Sequence, residues 1–228
     1  MAVQHSYGKM VTDGLVLYLN AADANSYVSG STTWRDLVGS NNGTLTNGPT
    51  YNSANYGSIV FDGVDDYVEC GATPNLTGLI NTSISCWAYP VTSSGITIFA
   101  SRYYNTNANQ GWLLTYVNSK FSFDGRESSA AYLQVTSSNT YAVNNWYNVT
   151  ATKSGSLWSI YVNGSLQGST NQGNGTTPFA SNNMQLGTAF YSLFQPNRIA
   201  TTQIYNRALS ASEVLQNYNA TKARFGLT

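Results

Sequence analysis

The chain has 228 residues, with ten basic and ten acidic side chains, one histidine and no formal net charge. Charged residues are 9% of it, against about a quarter in an ordinary globular domain, which leaves neither a basic stripe for nucleic acid nor an acidic tail. The 42% hydrophobic and 13% aromatic content argues against disorder and supplies a sizeable core.

In chain order, residues 1–10 read as an extended N-terminal arm. Met1 to Leu15 shows no apolar signal region or cleavage site. No stretch approaches the roughly 20 apolar residues of a membrane span. The expectation is synthesis in the cytosol, with no secretory route of its own and no membrane insertion. Residues 11–228 read as one domain, the usual size for an all-β unit. Leu15 to Leu19 forms a first strand, and Ala21 to Ser31 a polar loop. After Trp34-Arg35-Asp36-Leu37, the residues Gly39, Asn41, Asn42 and Gly43 predict a turn with positive φ.

Strands follow at Ser58–Phe61, at Asp65–Cys70 after an Asp62-Gly63 turn, and at Ser83–Tyr89, which stops at Pro90. Ile96–Ala100 and Gly111–Tyr116 flank a polar, aromatic loop, Arg102–Gln110. Lys120–Asp124 and Tyr132–Val135 come next. The stretch Asn144 to Gly164 is the clearest hairpin, with period-two alternation on both sides of a Gly155-containing turn. Gly168 to Pro178 reads as an exposed Gly/Asn/Thr loop, followed by strands at Met184–Gly187 and Ile199–Tyr205. Ser210 and Glu213 form a capping box for a helix over about 211–223. Cys70 and Cys86 are too few for a disulfide scaffold and read as buried free thiols rather than a bridge. With His5 as the one histidine, a Ser/His/Asp triad is not expected.

Several pieces in this order resemble a known family: Asp13–Tyr18, Trp34-Arg35-Asp36, Phe61–Val68, Ser83–Trp87, Trp146–Val149, Tyr161–Gly164, and Ile204–Ser210 with Glu213. They are similar to the laminin-G-like branch of the concanavalin A-like lectin/glucanase superfamily. The resemblance covers roughly residues 11–220. It implies an all-β, two-sheet antiparallel jelly-roll sandwich with one short C-terminal helix. Val11–Leu15, Asn42–Pro49, Gln216–Ala220 and Arg224-Phe225-Gly226 resemble more narrowly the laminin-G-like proteins of tailed-bacteriophage virions.

Glycoside hydrolysis usually takes two carboxylates flanking the scissile bond, and the resemblance implies a Glu-x-Asp-x-x-Glu-like strand for a hydrolase. Nothing here matches it: Glu69, Glu127 and Glu213 stand alone. Catalysis is therefore not expected. Calcium takes six to eight oxygens. The cluster Asp62, Asp65 and Asp66 offers some, but it belongs to the family's structural turn. Where many members carry an acidic pair before the last strand, this chain has Asn197–Thr201. Calcium is disfavoured and no cofactor is expected.

The uncharged surface, made largely of Asn, Ser, Thr, Gln and Tyr, suits glycans or neighbouring subunits. It is equally the surface of many extracellular β-proteins with no specific ligand. A glycan site takes aromatic platforms beside amide or carboxylate hydrogen-bonding groups. The best constellation is Tyr103, Tyr104, Asn105, Asn107, Trp112 and Tyr116, with Asp124 and Arg126 near; Trp112 and Tyr116 share a face by parity. The competing reading makes Trp112 core and the tyrosines an amphipathic rim or a subunit contact. The expectation carried forward is a non-enzymatic virion surface protein, a capsid decoration or fibre module. Its partners would be other virion proteins, in a symmetric homo-oligomer such as a trimer. The alternative is a lectin-like adhesin for host-surface polysaccharide, and a weaker one is a glycan hydrolase.

Overall fold

A computed structural model describes residues 8–71, 80–103, 111–126, 132–173, 183–189 and 192–228; the side chains of Tyr103 and Arg126 fall outside that description. The first half of the chain supplies β1 (Leu15–Asn20), β2 (Thr33–Trp34), β3 (Gly43–Thr46), β4 (Thr50–Asn52), β5 (Ser58–Phe61), β6 (Tyr67–Glu69) and β7 (Asn81–Pro90). Next come β8 (Thr97–Tyr103), β9 (Gly111–Val117), β10 (Lys120–Arg126), β11 (Leu133–Thr136), β12 (Tyr147–Ser154) and β13 (Leu157–Val162). The chain closes with β14 (Ser165–Asn171), β15 (Met184–Leu186), β16 (Asn197–Tyr205), the helix α1 (Ala211–Thr221) and a 3-10 turn, Lys222–Phe225.

The strand pairs among the described residues are antiparallel and fall into two sheets. The first runs β14-β13-β12-β7-β16-β5-β4, with β1 also paired to β16. The second runs β11-β10-β9-β8-β15-β6-β3-β2. Their facing sides share one core, which includes Leu17, Phe99, Trp112, Phe123, Val149 and Trp158. The architecture is the expected jelly-roll sandwich.

The hairpin forms as its alternation predicts. Val149 and Ala151 of β12 and Trp158, Ile160 and Val162 of β13 enter the core. Between the strands, Gly155 takes φ +58 in a two-residue turn. Cys70 and Cys86 are free and buried. Burial pushes the Cys86 thiol up to about 12.

Two sequence expectations need correction. None of Gly39, Asn41, Asn42 and Gly43 has a positive φ. The Asp36 carboxylate closes that loop instead, accepting from the backbone N–H groups of Tyr18, Val38 and Asn41. Gly43 is needed for space, since a Cβ there would lie 2.5 Å from Val68 Cγ1. Likewise, Gly168 to Asn171 is not loop but the second half of β14, paired with β13 along its length. Gln172 and Gly173 follow it outside any strand, as expected, while 174–178 lie outside the described residues, as does the arm over 1–7.

The outer face of the first sheet is covered by α1 and the C-terminal segment beyond it. Ser210 caps the helix through Glu213 as predicted. Val214 packs with Val11, Leu15, Tyr205 and Leu209, and Asn217 Oδ1 accepts from Val11 N–H at 2.8 Å. Phe225 then stacks on Trp87 with ring centroids 3.9 Å apart.

Candidate functional site

The outer face of the second sheet carries a groove of about 350 Å³ over β9, β10 and β11. Strand parity builds it. Trp112, Leu114 and Tyr116 of β9 face the core, so Leu113, Thr115 and Val117 face outward. On β10 the core takes Phe121 and Phe123, and the groove takes Lys120, Ser122 and Asp124. On β11 the core takes Leu133 and Val135, and the groove takes Gln134 and Thr136 together with Tyr132 just before the strand.

Register then sets these side chains in two cross-strand rows. Thr115, Ser122 and Thr136 make one; Leu113, Asp124 and Gln134 make the other. Ser122 and Thr136 share a hydroxyl hydrogen bond of 3.0 Å. Thr115 Oγ1 donates to Asp124 Oδ2 at 2.9 Å, and Gln134 Nε2 donates to Asp124 Oδ1 at 2.7 Å.

Asp124 is 3% exposed. Burial pushes its carboxyl above the usual carboxylate range, against the hydrogen bonds from Gln134, Thr115 and Tyr132 that favour the charged form. A carboxylate offers about four lone-pair sites. Among the described residues these three are its side-chain donors, which leaves Asp124 acceptor capacity for a ligand hydroxyl. Tyr132, 51% exposed, and Ile96, 43% exposed, stand at the rim. The floor sets fixed polar groups beside the apolar Leu113, and the rim presents an aromatic ring. That combination can hold a ligand with many hydroxyls and an apolar ring face.

The sequence-predicted residues fare differently. Trp112 is 0% exposed and Tyr116 is 1% exposed; the Tyr116 hydroxyl donates to the Tyr141 carbonyl at 2.6 Å. They do share a face, but it is the core face, so neither is a binding platform. Tyr103 ends β8 and Arg126 ends β10, both opposite Gly111. Tyr104, Asn105 and Asn107 lie outside the described residues. Asp124, named as a neighbour of that constellation, is the centre of the groove. Thr115, Ser122, Tyr132, Gln134 and Thr136 were missed. Their signal was alternation within each strand: Thr115 alternates with Trp112 and Tyr116, Ser122 with Phe121 and Phe123, and Gln134 with Leu133 and Val135.

The Asp62, Asp65 and Asp66 carboxylates lie within 4.8 Å of one another. They hold their own turn: Asp66 Oδ2 accepts from Asp62 N–H, and Asp62 Oδ1 accepts from Val64 N–H. Gly63, at φ +85, lets Pro196 pack on that turn.

A family model described as the concanavalin A-like lectin/glucanases superfamily, of laminin-G type, matches residues 62–215. Among solved structures, the fold is similar to the binding domain of Paraclostridial Mosquitocidal Protein 1, at TM-score 0.73 and 17% identity over 91% of this chain and 52% of that one. It is similar to the botulinum neurotoxin serotype G binding domain, at 0.70 and 17% over 90% and 50%. A third is the binding domain of botulinum neurotoxin DC in complex with SialylT, at 0.69 and 17% over 92% and 52%. The chain spans about half the length of these structures. At such identity the likeness is one of fold. No curated protein matches the sequence at a significant level.

Proposed function

The chain belongs to the concanavalin A-like lectin/glucanases superfamily, and from that premise we propose that it is a non-enzymatic, lectin-like module that binds a glycan in the groove over β9, β10 and β11. The observation that carries this reading is the clamped Asp124. It is held by Thr115, Gln134 and Tyr132, with acceptor capacity to spare among the described residues, in the groove that the half-exposed Tyr132 also lines. The botulinum neurotoxin DC binding domain was solved with SialylT, and we carry the glycan-binding role, not that ligand, to this chain.

Titration with neutral oligosaccharides tests the groove. Tyr132→Ala and Gln134→Ala each weaken binding by about fivefold or more, the loss of one hydrogen bond or stacking contact, and each costs about 1 kcal/mol of stability because it takes a donor from the buried Asp124. Trp112→Ala instead loses about 3–5 kcal/mol of stability, as a core aromatic does. Wild-type affinity in both groove variants would remove the groove from consideration.

Among its described residues the groove lining contributes one carboxylate, Asp124, whereas glycoside hydrolysis usually takes a pair. Reducing-sugar release that survives purification and disappears in Asp124→Asn would overturn the non-enzymatic reading. For the setting, we propose display on a tailed-phage particle, as a capsid decoration or fibre module in a symmetric homo-oligomer. Its support is the resemblance carried by Val11–Leu15 and Gln216–Ala220. Electron microscopy of intact particles locates the protein there or rejects the setting.

A further inference from the structure

Arg224, in the 3-10 turn after α1, is held by neutral groups alone among the described residues. Its Nε donates to the Asn55 carbonyl at 2.7 Å and one terminal nitrogen donates to Asn20 Oδ1 at 2.8 Å. The other terminal nitrogen donates to the Gly57 carbonyl. Among the described residues three of its five N–H groups are therefore used, all on uncharged oxygens, and two remain. Arg207, by contrast, pairs with the carboxylates of Asp13 and Glu213. Burial lowers the Arg224 guanidinium to about 10, so it stays charged at neutral pH.

The carbonyls that hold it come from a left-handed turn, with φ of 53° at Asn55, 64° at Tyr56 and 133° at Gly57. Residues with a Cβ disfavour such angles, and here two in succession adopt them. The conformation brings the Asn55 and Gly57 carbonyls to one guanidinium and leaves Tyr56 76% exposed between them. A pocket of about 310 Å³ opens at this point, lined by Tyr18, Asn20, Tyr56, Thr201, Thr221 and Arg224 among others. Tyr18 OH accepts from Asn20 Nδ2 and keeps its own proton to donate.

We propose that this pocket is a second binding site, taking the carboxylate of an acidic sugar residue on Arg224 and its ring hydroxyls on Tyr18 and Tyr56. A single guanidinium with two N–H groups left among the described residues matches a planar monoanion, and two tyrosines in the lining suit a sugar ring better than a bare anion. The site lies by β1, β16 and α1, on the outer side of the first sheet. It stands apart from the groove on the second sheet and does not depend on glycan binding there.

Amide-resolved NMR titration with glucuronate, glucose and inorganic phosphate tests it on the intact chain. Glucuronate shifts the amides of Tyr18, Tyr56 and Arg224, and high salt weakens the effect by about tenfold, as for one charge-assisted contact. Glucose leaves them in place. Arg224→Gln abolishes the response; because that change also frees the 55–57 turn, Tyr56→Ala is the second variant, weakening glucuronate severalfold with the melting temperature unchanged. Gln134→Ala leaves the glucuronate response intact, which separates this site from the groove. Equal responses to glucose, phosphate as effective as glucuronate, shifts confined to the groove, or no shift at all would each overturn the proposal.

Discussion

Glu213 ties a sequence signal to a measurable pH effect. Ser210 N–H and Ser210 Oγ both donate to Glu213 Oε2, at 2.8 and 3.0 Å. The Arg207 guanidinium grips both carboxylate oxygens, at 2.6 and 2.9 Å. The cap was readable as Ser-x-x-Glu; the arginine that completes it sits before Ser210 and has no such spacing rule. Arg207 first, and then the Ser210 backbone, hold the Glu213 carboxyl at about 2, against an ordinary value near 4.3. The folded pKa is depressed, so this contribution is present above the unfolded pKa and is lost as pH falls through the folded one. Glu213 is 28% exposed and solvent screens the pair, so we take its worth as about 1 kcal/mol. Glu213→Gln is then less stable than the parent by that amount near neutral pH. The gap closes as pH drops from about 4.5 towards 2. Urea melts across that range measure it, and a gap that stays constant with pH would assign the loss to the cap geometry rather than the ion pair.

At the scale of elements, the β12–β13 hairpin is specified by its own periodicity and α1 by its capping box. The segment after α1 is different. Arg224 and Phe225 have no periodic neighbours, yet they fasten the C-terminus to three distant places. Phe225 stacks on Trp87 and lies 4.9 Å from Trp146. Arg224 reaches Asn20, Asn55 and Gly57, and Trp146 Nε1 donates to Asn55 Oδ1. Removing residues 222–228 takes away a buried aromatic and a fixed guanidinium while leaving every strand and α1 in place. The expected cost is about 3 kcal/mol, the low end for deleting a buried Phe. Tryptophan emission shifts to the red as Trp87 and Trp146 meet water, and far-UV circular dichroism changes little. Unchanged emission and melting temperature would mean that the segment only rests on the sheet.

For the whole molecule, the two layers were readable because alternation at Ser83–Tyr89, Gly111–Tyr116 and Asn144–Gly164 places apolar groups on a common face at period two. The groove was not readable from the same pattern. Parity sorts Trp112 and Tyr116 from Leu113 and Thr115, but it does not say which set meets the other sheet, and aromatic chemistry drew the site to the wrong one. Register was the missing quantity: only the pairing of Leu113 with Asp124, and of Asp124 with Gln134, turns residues up to 21 positions apart into one site. The uncharged composition has a consequence at this scale. Ten basic and ten acidic side chains on 228 residues leave little long-range field to steer or hold a ligand. A neutral glycan held by Asp124, Gln134 and Tyr132 gains from short-range hydrogen bonds and stacking, which salt screens weakly. Its affinity therefore changes less than about twofold between low and high ionic strength, whereas binding at Arg224 falls about tenfold. Calorimetric titration of a neutral oligosaccharide at two salt concentrations decides this. A steep loss with salt would place the neutral ligand's binding on charge, and would move it from the groove to another surface of the molecule.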